Sequence, residues 1–204
     1  LDALYVILPF EKTFFENKHQ FSVHYVGNPL LDYIPKHPKN NSFSQDHAIV
    51  SKKPIIAVLP GSRIQEIKKM LPLFVRVAKY FSGYQFVIAG APGISIDQYN
   101  IFTDTTSMKI VYNSTYDLLQ HSTAALVTSG TATLETALFG VPQIVCYKSS
   151  ILSYWIAKRI VKLKFISLVN LILNRSAVIE LIQDSLTEES LSHHLKDLLK
   201  TSNT

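Results

Sequence analysis

Two short apolar runs, each emptying into a small-residue turn and then a helical pattern, constrain this chain more than any other feature. Pro54-Ile55-Ile56-Ala57-Val58-Leu59 leads into Pro60-Gly61-Ser62-Arg63, and Ala124-Ala125-Leu126-Val127 precedes Ser129-Gly130-Thr131-Ala132-Thr133-Leu134-Glu135. Uninterrupted runs of this length suit strands buried on both faces of a parallel sheet. Similar runs at 85–89, 109–112 and 143–147 alternate with helical patterns at 64–81, 115–121 and 133–139. The expectation is an α/β fold: a Rossmann-like parallel sheet with helices on both faces. Ile64, Ile67, Leu71, Phe74, Ala78 and Phe81 follow helical spacing and predict a stripe facing the core. Pro72 interrupts it, which predicts one short turn and then a second helix starting near the proline. Ser62 and Gln65 have capping-box spacing, so a helix should begin near Arg63. Gly140 and Pro142 stop the helix at 133–139, and a terminal helix is expected at 187–200, with acids early and lysines late.

A strand that turns into a helix leaves backbone N–H groups unpaired at the positive end of the helix dipole, a setting suited to phosphate. Glu135, one turn into its helix, lies within reach of a ribose whose phosphates sit at the Ser129–Gly130 turn. At the other turn, Gly61 lets backbone approach an anion while Arg63 offers a fixed, forked charge. The plain alternative is a capped helix with a solvated arginine. Two such turns after parallel strands converge on one sheet edge, where open α/β sheets take ligands, and this favours binding. Gly90-Ala91-Pro92-Gly93 reads as a turn first and a ligand contact second.

With 204 residues and 47% hydrophobic content, the chain can bury a core in one domain, or in a domain plus a fragment. No apolar run reaches the ~18 residues of a membrane span, and the start does not resemble a signal peptide. The single cysteine, Cys146, lies in Gln143-Ile144-Val145-Cys146-Tyr147 and is expected as a buried strand residue in a reducing compartment. A net charge of +5 suits an anionic partner: nucleotide, phospholipid surface or nucleic acid. Early strands at 4–8 and 22–26, with a helix at 11–18, lack evident partners, which reads as the C-terminal part of a longer protein. Residues 35–53 are polar and read as a connecting segment, and 104–107 as a surface loop. The stretch 153–165 mixes aromatics with positive charges and no acid. It is either a solvated basic face or an interfacial helix resting on anionic lipid, with Tyr154 and Trp155 at headgroup depth. There is no Asp-x-Asp pair, and the histidines lack metal-ligand spacing; His193 and His194 are merely adjacent. No G-x-G-x-x-G follows a strand, which disfavours a dinucleotide dehydrogenase.

The wording of several segments resembles the lipid-A-disaccharide synthase family of inverting glycosyltransferases in Gram-negative bacteria. These are Leu8-Pro9-Phe10-Glu11, Tyr25-Val26-Gly27-Asn28-Pro29-Leu30, and Leu59-Pro60-Gly61-Ser62-Arg63 with Glu66-Ile67. Ser129-Gly130-Thr131-Ala132-Thr133-Leu134-Glu135, Ile166-Ser167-Leu168-Val169-Asn170 and Glu180-Leu181-Ile182-Gln183 complete the set. Two positions depart: the family commonly has His where Asn28 stands and Pro where Val169 stands.

The resemblance implies a GT-B architecture of two Rossmann-like domains facing a cleft. Residues 1–34 would end the N-terminal domain, 35–53 would be the linker, and 54–204 the C-terminal UDP-sugar-binding domain. It implies transfer of 2,3-diacylglucosamine from its UDP donor to 2,3-diacylglucosamine 1-phosphate, giving a β-1,6 disaccharide and UDP, without metal or other cofactor. Gly61, Ser62 and Arg63 would meet the pyrophosphate, as would Ser129, Gly130, Thr131, Ala132 and Thr133, while Glu135 would accept from the ribose. Asn170 and Gln183 fall in segments lining the donor site or cleft. The catalytic base is expected in the preceding domain; Glu11, near the cleft hinge, is a weaker candidate. Implied partners are the two sugar lipids and the anionic inner-membrane surface, with no nucleic acid. The implied location is cytoplasmic and peripheral to that membrane, and exchange of C-terminal portions between subunits would allow a homodimer. Alternatives are a UDP-N-acetylglucosamine 2-epimerase, which shares the frame, and a non-catalytic UDP-binding module.

Overall fold

The computed structural model describes residues 3–50, 52–102, 108–148 and 164–201. Short elements come first: β1 (Tyr5–Val6), α1 (Pro9–His19), β2 (His24–Tyr25), α2 (Leu30–Tyr33), a 3-10 turn over Ile34–Lys36, and α3 (Phe43–Asp46). β1 and β2, expected to lack partners, pair with each other in parallel, Tyr5 opposite His24 and Val6 opposite Tyr25. Glu11 is occupied at the head of α1. Its carboxylate accepts from the N–H groups of Ile7 and Leu8 at 3.2 and 2.9 Å, which is helix-capping work.

The segment at 35–53, expected as a connection rather than an element, carries α3 and docks. Phe43 is wholly buried and stacks on His121 with ring centroids 5.2 Å apart. His37 Nε2 lies 3.0 Å from Asp117 Oδ1, and Asn40 Nδ2 donates to Asp117 Oδ2 at 3.1 Å. Its polar composition, which suggested a free connection, satisfies local turns instead: Asn40 Oδ1 accepts from both the N–H and the hydroxyl of Ser42.

The main sheet has six strands: β3 (Ile55–Leu59), β4 (Gln85–Gly90), β5 (Lys109–Tyr112), β6 (Ser122–Thr128), β7 (Gln143–Tyr147) and β8 (Ile179–Ile182). All neighbours are parallel and the order is β5-β4-β3-β6-β7-β8. The connecting helices are α4 (Ile64–Ala78), α5 (Ile96–Asn100), α6 (Thr115–Gln120), α7 (Thr131–Leu138), α8 (Leu168–Leu173) and α9 (Glu188–Thr201). Alternation along β6 divides the core. Ala124 and Leu126 join Ile67, Leu71, Phe74, Leu191 and Leu195 under α4 and α9. Ala125 and Val127 join Leu118 and Leu119 of α6, with Ala132 of α7 packed alongside. Helices therefore cover both faces, and the fold is Rossmann-like α/β.

Three local expectations are corrected. α4 runs unbroken through Pro72. A proline inside a helix costs about 3 kcal/mol, but Leu71, Leu73, Phe74, Val75 and Val77 are all buried around it. Each such side chain is worth roughly 1.5–3 kcal/mol, so packing outweighs the lost bond. The cap of α4 is not Ser62 with Gln65. Arg63 is the N-cap residue, and Glu66 Oε2 accepts from the N–H groups of Ser62 and Arg63 at 3.0 and 3.3 Å. Ile64, counted in the buried stripe, is exposed. The loop at 104–107 and residues 153–163 of the basic-aromatic stretch lie outside the described residues.

Candidate functional site: a cavity at the strand-order switch

From β3 the chain builds outward through β4 and β5, then returns to place β6 on the other side of β3. The connections leaving β3 and β6 part in opposite directions, and this is where open α/β sheets have a crevice at their carboxyl edge. A cavity of about 390 Å³ occupies that place. Leu59, Gly61, Ser62, Arg63 and Glu66 form one wall; Thr128 to Ala132 and Glu135 form another; Ala89 to Pro92 and Thr115 close the third side. The two turns singled out from sequence thus face one space, and Gly90-Ala91-Pro92 is part of its lining.

The first turn is tightly wound. Gly61 has φ +111°, a region that favours glycine, and a Cβ there would sit 2.7 Å from Glu66 Cβ. Glu66 folds back under the turn to take its N–H groups, and Arg63 Nη1 lies 3.3 Å from Glu66 Oε1. The Arg63 side chain is 80% exposed. It is a charge at the rim leaning on its own helix, not the fixed fork expected from sequence, because Glu66 is already committed to the backbone and holds it by one contact. The N–H groups of Ile64 and Gln65, the first two of α4, have no acceptor among the described residues.

The second turn is anchored from behind. Ser129 N–H donates to the carbonyl of Cys146 at 2.9 Å, and its hydroxyl donates to that of Ile166 at 3.1 Å. Thr133 is fully buried, donates to the Gly130 carbonyl at 2.8 Å and does not line the cavity. The N–H groups of Gly130, Thr131 and Ala132 have no acceptor among the described residues, and all three residues border the cavity. Of the hydroxyls expected at the phosphate, those of Ser129 and Thr133 therefore brace the turn, while that of Thr131, exposed at the cavity, has no partner among the described residues and joins the backbone N–H groups as a free donor.

Glu135 Oε1 accepts from the Tyr116 hydroxyl at 2.9 Å, and no partner engages Oε2 among the described residues. Burial first, then the bond to Glu135 and its charge, push the Tyr116 phenol up to about 12, so it stays a donor at physiological pH. His37 and Phe139 pack on Tyr116 with centroids 5.4 and 5.1 Å away. The docked segment thereby reaches the back of the cavity. Sequence reasoning missed Tyr116, Thr115, Glu66 and Thr128. Glu66 left a signal there, in the segment quoted with Leu59 to Arg63, and so did Thr128, as a polar residue ending an apolar strand.

Asn170 and Gln183 are not brought to the cavity. Asn170 is wholly buried. Its Nδ2 donates to the Val178 carbonyl and Glu180 at 2.9 and 2.8 Å, and its Oδ1 accepts from the N–H groups of Ala177 and Val178 at 2.7 and 2.9 Å. All four hydrogen-bonding positions of the amide are filled, so it is a clamp between α8 and β8. Gln183, with φ +53°, follows β8 at the sheet edge, away from the β3–β6 gap. At the two departures the backbone accommodates the change. Asn28 Oδ1 accepts from Leu30 N–H at 3.0 Å, and Val169 sits in the first turn of α8, where a proline would remove no helical bond. Among the described residues no three His, Cys, Asp or Glu side chains gather as a metal site.

A doubly wound parallel sheet with this cavity at its switch point places the chain in the Rossmann-like α/β class. Within that class it belongs to the lipid-A-disaccharide synthetase family, whose model matches residues 1–204. It is 33% identical over 202 residues to the lipid-A-disaccharide synthase of Myxococcus xanthus, covering 96% of this chain and 52% of that protein. The Colwellia psychrerythraea lipid-A-disaccharide synthase is 34% identical over 206 residues, covering 97% and 52%. The chain thus spans about half the length of these curated relatives. Among solved structures, the Methanocaldococcus jannaschii UDP-GlcNAc 2-epimerase in complex with UDP-GlcNAc and UDP superposes with a TM-score of 0.65 at 14% identity, over 97% of this chain and 54% of that one. WaaG, a glycosyltransferase involved in lipopolysaccharide biosynthesis, gives 0.57 at 14%, over 98% and 54%. At such identity these two likenesses speak to the fold alone.

Proposed function

We propose that this chain is the donor-nucleotide half of a glycosyltransferase of lipid A biosynthesis. It would transfer 2,3-diacylglucosamine from its UDP donor to 2,3-diacylglucosamine 1-phosphate. The observation that carries the reading is that the Gly61–Arg63 and Gly130–Ala132 turns, on different strands, share one switch-point cavity. A hydroxyl oxygen of the acceptor bonds to C1 of the donor sugar, the bond from C1 to the diphosphate breaks, and UDP departs with a full extra negative charge. Free N–H groups at both helix starts and the Arg63 guanidinium meet that charge where it develops. The unoccupied Oε2 of Glu135 accepts from a ribose hydroxyl. The acceptor proton goes to a base that the reading assigns to the other domain, since Glu11 is engaged in capping. Residues 1–34 then end that domain, 35–53 connect, and 54–204 bind the nucleotide; the separate β1–β2 sheet supports the division.

Calorimetric titration of UDP into the chain and its Glu135→Gln variant tests the site. Weak binding by the wild-type chain and a roughly tenfold loss in the variant are expected; equal affinities would remove Glu135 from the ribose. In a radiolabelled transfer assay the chain alone should form no disaccharide, and clear product would overturn the placement of the base. No described helix is long and apolar enough to cross a membrane. The basic-aromatic stretch at 153–165 supports peripheral contact with the anionic inner-membrane surface, on its cytoplasmic side. Sedimentation with anionic and with neutral vesicles reads this contact, and equal binding would discard its electrostatic part. The epimerase alternative has support from the fold only and is not adopted.

A further inference from the structure

Glu135 lines the cavity, whereas Tyr116, whose hydroxyl donates to Glu135 Oε1 at 2.9 Å, is no part of that lining. The tyrosine grips α7 at two places one turn apart. Its hydroxyl takes Glu135, and its ring packs on Phe139 with centroids 5.1 Å apart. The ring is held in turn by residues that precede the main sheet, Tyr33 at 6.0 Å and His37 at 5.4 Å, the latter edge-on. Phenylalanine would fill the same space, so the hydroxyl is the one part of Tyr116 that ring packing does not require. A glutamate side chain without such a tie samples several rotamers, and a ligand that must freeze one of them loses affinity. We infer that Tyr116 is a positioning residue for the nucleotide: its hydroxyl holds the Glu135 carboxylate so that the other oxygen is set to accept from a ribose hydroxyl. This rests on the reading of Glu135 as the ribose acceptor. The phenol keeps its proton at physiological pH, so the tie persists there. Tyr116 itself touches no ligand, and its effect is confined to nucleotides that carry ribose hydroxyls. Through it, the segment that docks at His37 supports the nucleotide site.

Titration of the full-length protein with UDP and with 2′,3′-dideoxy-UDP, which lacks both ribose hydroxyls, tests this. Tyr116→Phe should weaken UDP about 3- to 10-fold and leave dideoxy-UDP within about twofold of wild type. Both ligands are read on one preparation, so a smaller folded fraction cancels from the ratio of their affinities. In a Glu135→Ala background, Tyr116→Phe should have no further effect on UDP, because no carboxylate is left to hold. Wild-type UDP affinity in Tyr116→Phe would overturn the inference. Equal weakening of both ligands, or a loss that persists undiminished when residue 135 is alanine, would also overturn it, marking a hydroxyl that merely ties α6 to α7. Glu135→Ala alone separates the two levels. If it lowers the ratio while Tyr116→Phe does not, the inference alone fails; if it leaves the ratio at its wild-type value, the ribose reading fails and takes the inference with it.

Discussion

The two turns that face the cavity solve the same geometric problem in opposite ways. At Gly61–Arg63 the turn is held by its own helix: Glu66 reaches back, takes two N–H groups and touches the arginine. At Ser129–Ala132 the turn is held from behind by Cys146 and Ile166, and its front is left bare. The second turn is therefore ready for an anion as it stands. The first carries a carboxylate at its centre, and under the proposed reading a diphosphate would have to compete with Glu66 for the Arg63 charge. What a glycine contributes differs in the same way: Gly61 supplies a conformation, whereas Gly130, with φ 165°, supplies only open space.

Paired glycine variants put the largest effect on that contrast. Gly61→Ala should cost about 3 kcal/mol of stability, from the positive φ and the collision with Glu66. Gly130→Ala should change stability by less than about 0.5 kcal/mol, since its Cβ would meet nothing closer than 4.0 Å. It should nevertheless weaken UDP if the proposed site holds, because the methyl group would then stand where the phosphate approaches. Denaturant unfolding beside UDP titration reads both, and a destabilised Gly130→Ala would break the comparison.

A smaller effect separates the charges. Arg63→Ala should lose about 1.5 kcal/mol of UDP binding, less at high salt, with stability unchanged for so exposed a side chain. Glu66→Gln should go the other way, binding UDP about threefold more tightly once the opposing charge is gone. It should also give up roughly 1 kcal/mol of helix capping. Calorimetry at two ionic strengths decides, and wild-type affinity in both variants would leave the first turn without a ligand role.

The smallest effect concerns the segment docked behind the cavity. Burial tends to raise the Asp117 carboxyl, but hydrogen bonds from His37 and Asn40 outweigh it, and the group titrates below its ordinary 3.8. A carboxylate depressed in the folded state adds stability above its unfolded value and loses it as pH falls through the folded one. Asp117→Asn should therefore be less stable than wild type near neutral pH, with the gap closing below about pH 4. Unfolding curves across that range test it; a gap independent of pH would mean that the Asp117 carboxyl is not depressed by its partners.

The sheet was legible because β3, β6 and β7 are buried on both faces along most of their length and so carry unbroken apolar runs, at 55–59, 124–127 and 144–146. β8 escaped notice because it is an edge strand, where Ile179-Glu180-Leu181-Ile182 buries fully only Leu181. The capping of α4 was misread because Ser62 and Gln65 match a spacing that Glu66, one residue later, satisfies better from inside the turn. The site was legible as backbone: small residues after a strand announce free N–H groups. Side-chain duties were not, since a hydroxyl at the right position can bind a ligand or tie down its own loop. Ser129 and Thr133 do the latter. Asn170 shows the same limit, an amide in a recognisable segment whose every hydrogen bond is internal.

Cys146, the sole thiol, lies fully buried in β7 opposite Thr128, and burial pushes it far above the usual range for ionisation. Thiolate, the reactive form, is therefore scarce there, and reagent reaches it only when the core around β7, which includes Leu181, Leu191 and Leu195, opens. The rate of labelling at this position is consequently a gauge, present without engineering, of how often that packing opens.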